Sequence, residues 1–373
     1  MNKDHRFQRV AIKNFAEVIT GGTPSTVINE YWDDGTIPWL NSGELNNRYI
    51  TQSSNYITES GLKNSNAKIM PPGTVMIALT GATTGVTALL QIEACANQSV
   101  TGILPSDNHD PKYLYFYLSS LRQQILDKSW GGAQKHISQG YVKEIEVPFP
   151  PLDEQRRIAA ILDKADAIRQ KRQESIRLTE EFLRSTFLEL FGDPVTNPKG
   201  WKIEPLENLV NFTTGKLDSN AAVKGGAYPF FTCSREDLQI DNYAFDCEAL
   251  LLAGNNASAD YSVKYYKGKF NAYQRTYVIT MSRLSLSYRY MQYALEMKLQ
   301  DMKRLSKGTN TKYLTLGILN QLEFQIPDEK SQRLFDRIIA SLGRHSIIQN
   351  DALKLSETNF TALVQSAFRG ELS

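Results

Sequence analysis

FQRVAIKNFAEVITGGTPS, running from Phe7 to Ser25, returns in altered form as WKIEPLENLVNFTTGKLDS, from Trp201 to Ser219. Phe7 aligns with Trp201, Ile12 with Leu206, Phe15 with Leu209, Val18 with Phe212 and Gly21 with Gly215. These four apolar positions and one glycine keep their character while most other identities change. Three further landmarks follow in the same order. TVMIALTGATTGVTAL, an apolar run closed by a polar glycine loop, answers to ALLLAGNNASADYSV, and ANQSVTGIL (Ala96 to Leu104) answers to AYQRTYVIT (Ala272 to Thr280). GGAQKHIS answers to KGTNTKYLT, and VKEIEVPFPPLDEQ to LNQLEFQIPDEKSQ. A unit of roughly 175–195 residues is much too long for a solenoid repeat and reads as a diverged tandem duplication of a domain.

Each copy leads into a stretch of helical periodicity. DEQRRIAAILDKADAIRQKRQESIRLTEEFLRSTFLELF, Asp153 to Phe191, contains no Gly or Pro; counted to Gly192 it carries 8 basic and 8 acidic residues. Ile158, Ile161, Leu162, Ala165, Ile168, Ile176, Leu183, Phe187 and Leu190 recur at helical spacing. Asp153 suits an N-cap region after Pro150-Pro151, and Gly192 suits the stop. At about 1.5 Å per residue this helix runs close to about 60 Å. Asp328 to Leu372 reads likewise, with Gly343 as a point of bending and Gly370 as a stop. Neither helix buries its own stripe, so the two are expected to pack antiparallel on each other as a coiled coil. The polar centre RQKRQES makes that seam imperfect, and the other reading docks each helix on its own domain.

Within each copy, short alternating runs bounded by Gly, Asn, Ser and Pro predict strands. Residues 111–128 and 286–305 predict one helix per copy. The fold class is therefore α+β: two β-rich domains, 1–150 and 193–327, each followed by a long helix, 151–192 and 328–373.

The chain of 373 residues is 41% hydrophobic, enough for two or three domains. No apolar run approaches the roughly 18 residues that span a bilayer, and the N-terminus lacks a secretory h-region. Cys95, Cys233 and Cys247 form no paired motif, which argues against a disulfide framework. A soluble cytoplasmic protein is expected. Net charge is +2, but residues 193–327 carry 16 Lys+Arg against 13 Asp+Glu, while residues 1–150 carry 12 against 13. Lys303, Arg304, Lys307 and Lys312 form a local patch suited to phosphates.

The glycine-rich loops carry the functional expectation, because base edges in the major groove are read by Arg, Lys, Asn, Gln, Ser and Thr. The first copy supplies Thr23, Ser25, Asn41, Ser42, Thr80, Thr83, Thr84, Asn97, Gln98, Ser99, Gln134, Lys135 and His136. The second supplies Thr232, Ser234, Arg235, Asn255, Asn256, Gln274, Arg275, Thr276, Asn310, Thr311 and Lys312. Any one of these is more often a turn-former than a base contact; recurrence at matching places is what points to DNA. The motifs of catalysis are missing. There is no G-x-x-x-x-G-K-[ST], H-E-x-x-H or G-x-S-x-G, and the four histidines are scattered. The two Pro-Pro pairs, in MPPGT and FPPLD, are not the Asn/Asp-Pro-Pro-aromatic motif of a DNA amino-methyltransferase. No catalytic or metal site is expected, and an enzyme of a different class would need a clustered acid, base or nucleophile.

TGGTPS, IPWLNSGEL (37–45), IMPPGTVMIALTGATTG (69–85), ANQSV (96–100), GGAQKHIS (131–138) and VPFPPLDEQRRIAAILDKAD (147–166) resemble the specificity (S) subunit of type I restriction-modification systems. LVQSAFRGEL (363–372) resembles that family's tail, and LRSTFLELFGD (183–193) is its counterpart after the first domain. The resemblance covers nearly the whole chain. It implies two target-recognition domains held apart by two long helices conserved in the family, each reading one half of a split double-stranded DNA target. It further implies two methyltransferase subunits carrying S-adenosylmethionine, and two motor-nuclease subunits using ATP and Mg, with no cofactor in this chain and no membrane partner. A specificity subunit serving a methyltransferase without a motor nuclease is the alternative. The second copy departs from the pattern: TPS, PWL and PPGT have no recognisable counterpart, and EQ becomes Ser331-Gln332.

Overall fold

A computed structural model describes residues 7–130, 135–234, 238–256, 261–283, 285–308 and 311–372. The chain divides into two units: one from the residues up to Arg172 together with those from Ala352 onward, the other from Gln173–Asp351.

Among the described residues, the strands of the first unit are β1 (Arg9–Ala11), β2 (Val18–Thr20), β3 (Ile37–Leu40), β4 (Tyr49–Ile50), β5 (Asn55–Ile57), β6 (Val75–Ala78), β7 (Thr87–Leu90), β8 (Cys95–Ala96), β9 (Val100–Ile103) and β10 (Glu146–Pro148). Its helices are α1 (Glu59–Lys63), α2 (Pro111–Ser120), α3 (Arg122–Lys128) and α4 (Gln139–Lys143), followed by the long α5 (Leu152–Phe191). One sheet has the order β2-β9-β6-β7-β4 and a smaller one β5-β3-β8, with β3 parallel to β8. β1 pairs antiparallel with β10 and so ties the beginning of the domain to its end. VMIA of β6 is buried on both faces, as an uninterrupted apolar run requires. α2 starts where Asp110 accepts from the Tyr113 N–H and Pro111 fills the first turn. Its Tyr113, Leu114, Phe116 and Tyr117 pack with Val75, Ile77, Leu89 and Ile103 of the sheet. Each such buried side chain contributes about 1.5–3 kcal/mol.

The second unit contains β11 (Lys202–Pro205), β12 (Val210–Thr214), β13 (Tyr228–Phe231), β14 (Leu238–Ile240), β15 (Phe245–Ala253), β16 (Asn255–Asn256), β17 (Val263–Ala272), β18 (Thr276–Met281), β19 (Lys312–Tyr313) and β20 (Glu323–Ile326). Its helices are α6 (Tyr288–Met297), α7 (Leu299–Leu305) and α8 (Leu316–Asn320), and α9 (Glu329–Arg369) follows. The sheet order is β12-β18-β15-β17-β13-β14. Here the single strand β17 does what β7 and β8 do separately, pairing antiparallel with β15 and parallel with β13. The shorter domain therefore keeps the topology with one continuous sheet. The helix expected in each copy is divided in two, at Leu121 and at Lys298, where ψ values of −3° and 1° interrupt the α ladder.

One expectation is corrected by strand register. Phe230 and Phe231 pair in parallel with Asn271 and Ala272, just as Trp39 and Leu40 pair with Cys95 and Ala96. Pro229 lies opposite Gln239 as Pro38 lies opposite Tyr56. YPFF (228–231) is thus the counterpart of IPWL (37–40).

Both long helices contribute to both units. In the first, Ile158, Ala159 and Leu162 of α5 share a core with Ala367 and Phe368 of α9. Arg157 donates to the Leu372 carbonyl at 2.6 Å, while the Arg169 guanidinium lies 5.5 Å from the Phe360 ring. Rising numbers on α5 meet falling numbers on α9, so the segments run antiparallel. In the second unit Phe187 and Phe191 lie 5.6 and 5.5 Å from the Phe335 ring. Sharing the helices in this way reconciles packing on each other with docking on the domains. α5 begins at Leu152, which puts Asp153 inside the first turn rather than at the cap. Asp328 does cap α9: the Ser331 N–H donates to it at 2.9 Å, and such backbone bonds hold its carboxyl below the usual range. Gly192 and Gly370 adopt φ of +80° and +77° beyond the two helices, whereas α9 continues through Gly343.

Candidate nucleic-acid interface

In the first unit the predicted loops are drawn together by backbone hydrogen bonds at one end of the sheets. The Gly22 N–H donates to the Ala96 carbonyl at 2.8 Å and the Asn97 N–H to the Leu40 carbonyl at 2.9 Å. These two bonds join the loops after β2 and β3 to the segment before β9. The Leu79 N–H reaches the Ser99 carbonyl at 2.8 Å, and Gly81 reaches Lys135 at 2.9 Å. The Ile137 N–H returns to Leu79 at 2.9 Å. Asn97 Nδ2 also donates to Asn41 Oδ1 at 3.4 Å.

The same wiring is built again in the second unit. Tyr273 donates to the Phe231 carbonyl at 2.9 Å, Gly254 to Arg275 at 2.8 Å and Leu314 to Gly254 at 2.8 Å. Asn255 and Asn256 pair with Tyr313 and Lys312. Gly21 and Gly215 occupy the tightest point of each face. A Cβ on Gly21 would lie 2.1 Å from the Ala96 carbonyl oxygen, and one on Gly215 1.7 Å from that of Ala272. Only glycine allows so close an approach of backbone to backbone.

The predicted side chains divide by exposure. Ser25, Asn41 and Gln98 are exposed in the first unit, while Thr23, Ser42, Thr80, Thr83, Asn97, Ser99, Lys135 and His136 are half-buried. Thr84 is fully buried and its hydroxyl is spent on the Gly81 and Lys135 carbonyls, at 2.9 and 3.0 Å. It holds the loop together and offers nothing to solvent. In the second unit Ser234, Gln274, Arg275 and Thr311 are exposed, with Asn255 and Lys312 half-buried. Thr232 and Thr276 are buried. Gln134, Arg235, Asn310 and the side chain of Asn256 lie outside the described residues. Within the basic patch, Arg304 pairs with Asp301, whereas Lys303 and Lys307 are exposed. Tyr277, beneath the second face, donates to the Leu314 carbonyl at 3.0 Å, and burial raises its phenol pKa, which keeps it a neutral donor.

Two exposed aromatic residues at these faces escape a reading based on hydrogen-bonding side chains. Trp130 pairs through its backbone with His136, in a T-shaped ring contact at 5.0 Å, and is 54% exposed. Lys307 pairs in the same manner with Tyr313, which is 40% exposed. A tryptophan abutting the glycine pair Gly131-Gly132 is the signal that was available in the sequence. Exposed aromatic surface is suited to sugar faces and thymine methyl groups. Among the described residues no group of His, Cys, Asp and Glu is placed to hold a metal ion, and no helix is long and apolar enough to cross a membrane.

The chain is thus a duplicated α+β unit in which the same loop wiring is built twice. The family described as type I restriction modification DNA specificity domain matches residues 5–179 and 198–355, and the chain belongs to that family, whose specificity subunits are its non-catalytic recognition components. The chain is 25% identical to the type I restriction enzyme MjaIX specificity subunit of Methanocaldococcus jannaschii, over 97% of this chain and 92% of that one. It is 34% identical to the Escherichia coli EcoDI specificity subunit over 47% of this chain and 39% of that relative. The solved S subunit of a type I restriction-modification system from M. genitalium shares the fold at a TM-score of 0.69 and 16% identity, covering 99% of this chain and 97% of that one.

Proposed function

We propose that each unit reads one half of a bipartite double-stranded DNA target, and that α5 and α9 set the unspecified spacer between the halves. The observation that carries this reading is the same loop face built twice with a shared glutamine and different neighbours: Asn97-Gln98-Ser99 stands where Tyr273-Gln274-Arg275 stands. A fixed scaffold with variable hydrogen-bonding groups is what two different half-sites require. The chain supplies specificity to two methyltransferase subunits, which carry S-adenosylmethionine, and to two motor-nuclease subunits, which use ATP and Mg. It works in the cytoplasm, without a cofactor of its own. The alternative is service to a methyltransferase alone, which reconstitution with and without a motor nuclease separates. Purified chain incubated with DNA and S-adenosylmethionine should transfer no methyl group, and adding its methyltransferase should produce methylation at one split motif. Methylation by the chain alone would refute the assignment.

A further inference from the structure

Gln98 and Gln274 stand two residues beyond Ala96 and Ala272, and both are exposed. Each is tied to the loop that follows β2 or β12, but by opposite ends of its amide. In the first unit the Thr23 hydroxyl donates to Gln98 Oε1, which turns the amide nitrogen away from the loop. In the second, Gln274 Nε2 donates to Asp218 Oδ2 at 3.4 Å. A carboxylate has no proton to give, so it fixes the Gln274 amide with nitrogen inward and oxygen outward. Asp218 is itself held in place: its Oδ1 accepts from the Asn220 N–H and the Ser219 hydroxyl, both at 3.3 Å. The Gln274 backbone is anchored to the same loop, donating to the Leu217 carbonyl at 2.9 Å. A hydroxyl both donates and accepts, so Thr23 permits Gln98 to turn over. Asp218 permits no such exchange.

Resting on the DNA-reading role given above, we propose that Asp218 is a positioning residue that commits Gln274 to adenine. The outward carbonyl accepts from the adenine N6 amino group, and the second amide hydrogen remains available for adenine N7. Guanine presents acceptors at both N7 and O6, and would meet the Gln274 oxygen with an acceptor. Without Asp218 the amide can reverse, and guanine becomes readable by the amide hydrogens. Asp218 thus excludes guanine without touching it.

The test uses the full chain assembled with its methyltransferase, with methylated motifs read by methylome sequencing. Gln274→Ala should erase discrimination at one adenine of one half-site. Asp218→Ala should relax that same position to either purine, lowering the preference for adenine over guanine about tenfold, with the other half-site unchanged. Asp218→Asn, nearly isosteric, should do the same, and it serves if the alanine variant fails to fold. If that position stays adenine-only in the Asp218 variants, or Gln274→Ala alters no adenine, the proposal is overturned while the DNA-reading role stands. A wild-type complex that methylates with no motif would instead remove the DNA-reading role itself.

Discussion

Gln155 and Gln332 stand at equivalent points in the first turn of α5 and α9, and each makes the same two hydrogen bonds with its buried amide. Gln155 Oε1 accepts from the Asp110 N–H at 3.0 Å while its Nε2 donates to the Pro150 carbonyl at 2.9 Å. Gln332 Oε1 accepts from the Ser287 N–H at 2.7 Å while its Nε2 donates to the Pro327 carbonyl at 2.9 Å. Asp110 and Ser287 are the N-caps of α2 and α6, so each glutamine locks a long helix to the principal helix of its unit. Gln155→Ala and Gln332→Ala leave a buried donor and acceptor unpaired, and each should cost about 1–3 kcal/mol. Urea unfolding of the full chain checks this; unchanged midpoints would show the bonds to be dispensable.

Gly21→Ala and Gly215→Ala should each distort one of the two loop faces proposed to read DNA. The new methyl group would enter the Ala96 or Ala272 carbonyl, which must move with the loop bearing Gln98 or Gln274. Methylation by the assembled complex should lose discrimination at one half-site, a different one for each variant. Retention of the full motif in both would mean that the close approach is not needed for reading.

Arg48 has no counterpart legible in the second copy. Its guanidinium bonds Asp163 at 2.6 Å and Asp166 at 2.9 Å, and lies 4.7–5.0 Å from the rings of Tyr49, Tyr115 and Phe116. Asp166 is buried, although Arg169 and Gln170 also bond it, and Lys112 remains on Asp163. Arg48→Ala should therefore destabilise the first unit by about 2–3 kcal/mol, below the full penalty of stranding a buried carboxylate. Hydrogen exchange should show faster opening around α2 with little change around α6; equal protection at both would contradict the ion pair's role.

His109 supplies a pH dependence. Burial pushes its pKa down to about 4, against the opposing pull of Asp110, and the ring packs 5.3 Å from that of Phe15. The unfolded chain takes up this proton near pH 6.5, well before the folded chain does. The contribution is therefore fully present above about pH 6.5 and is lost as pH falls toward about 4. His109→Gln should flatten the fall in thermal unfolding temperature between pH 7 and pH 5. An unchanged slope would exclude His109 as a source of it.

The duplication and both long helices were legible because apolar spacing survives divergence: Gly21 with Gly215 and Ala96 with Ala272 prove to be the same contact. The IPWL counterpart was hidden because spacing drifts and a β strand asks only for apolar residues of suitable size, so Phe230 and Phe231 replace Trp39 and Leu40 without an identity. The division of α2 from α3 rests on one ψ angle, which composition does not encode. The candidate residues were legible as loop positions, but their exposure was not: burial separates Thr84 and Thr276 from Gln98 and Gln274, and burial is set by distant packing. The Gln155 and Gln332 anchors were visible only as part of a motif, and the helix caps they hold, Asp110 and Ser287, lie 45 residues away in each case.

The central claim is that the two faces read independently. Methylome sequencing of a host carrying the partner methyltransferase and one of two variants tests it most directly. One variant replaces Asn41, Asn97 and Gln98 with alanine, and the other replaces Asn255, Gln274 and Arg275. Each should alter one half of the split motif and leave the other half and the spacer length unchanged; a variant that alters both halves, or two variants that alter the same half, would contradict the account.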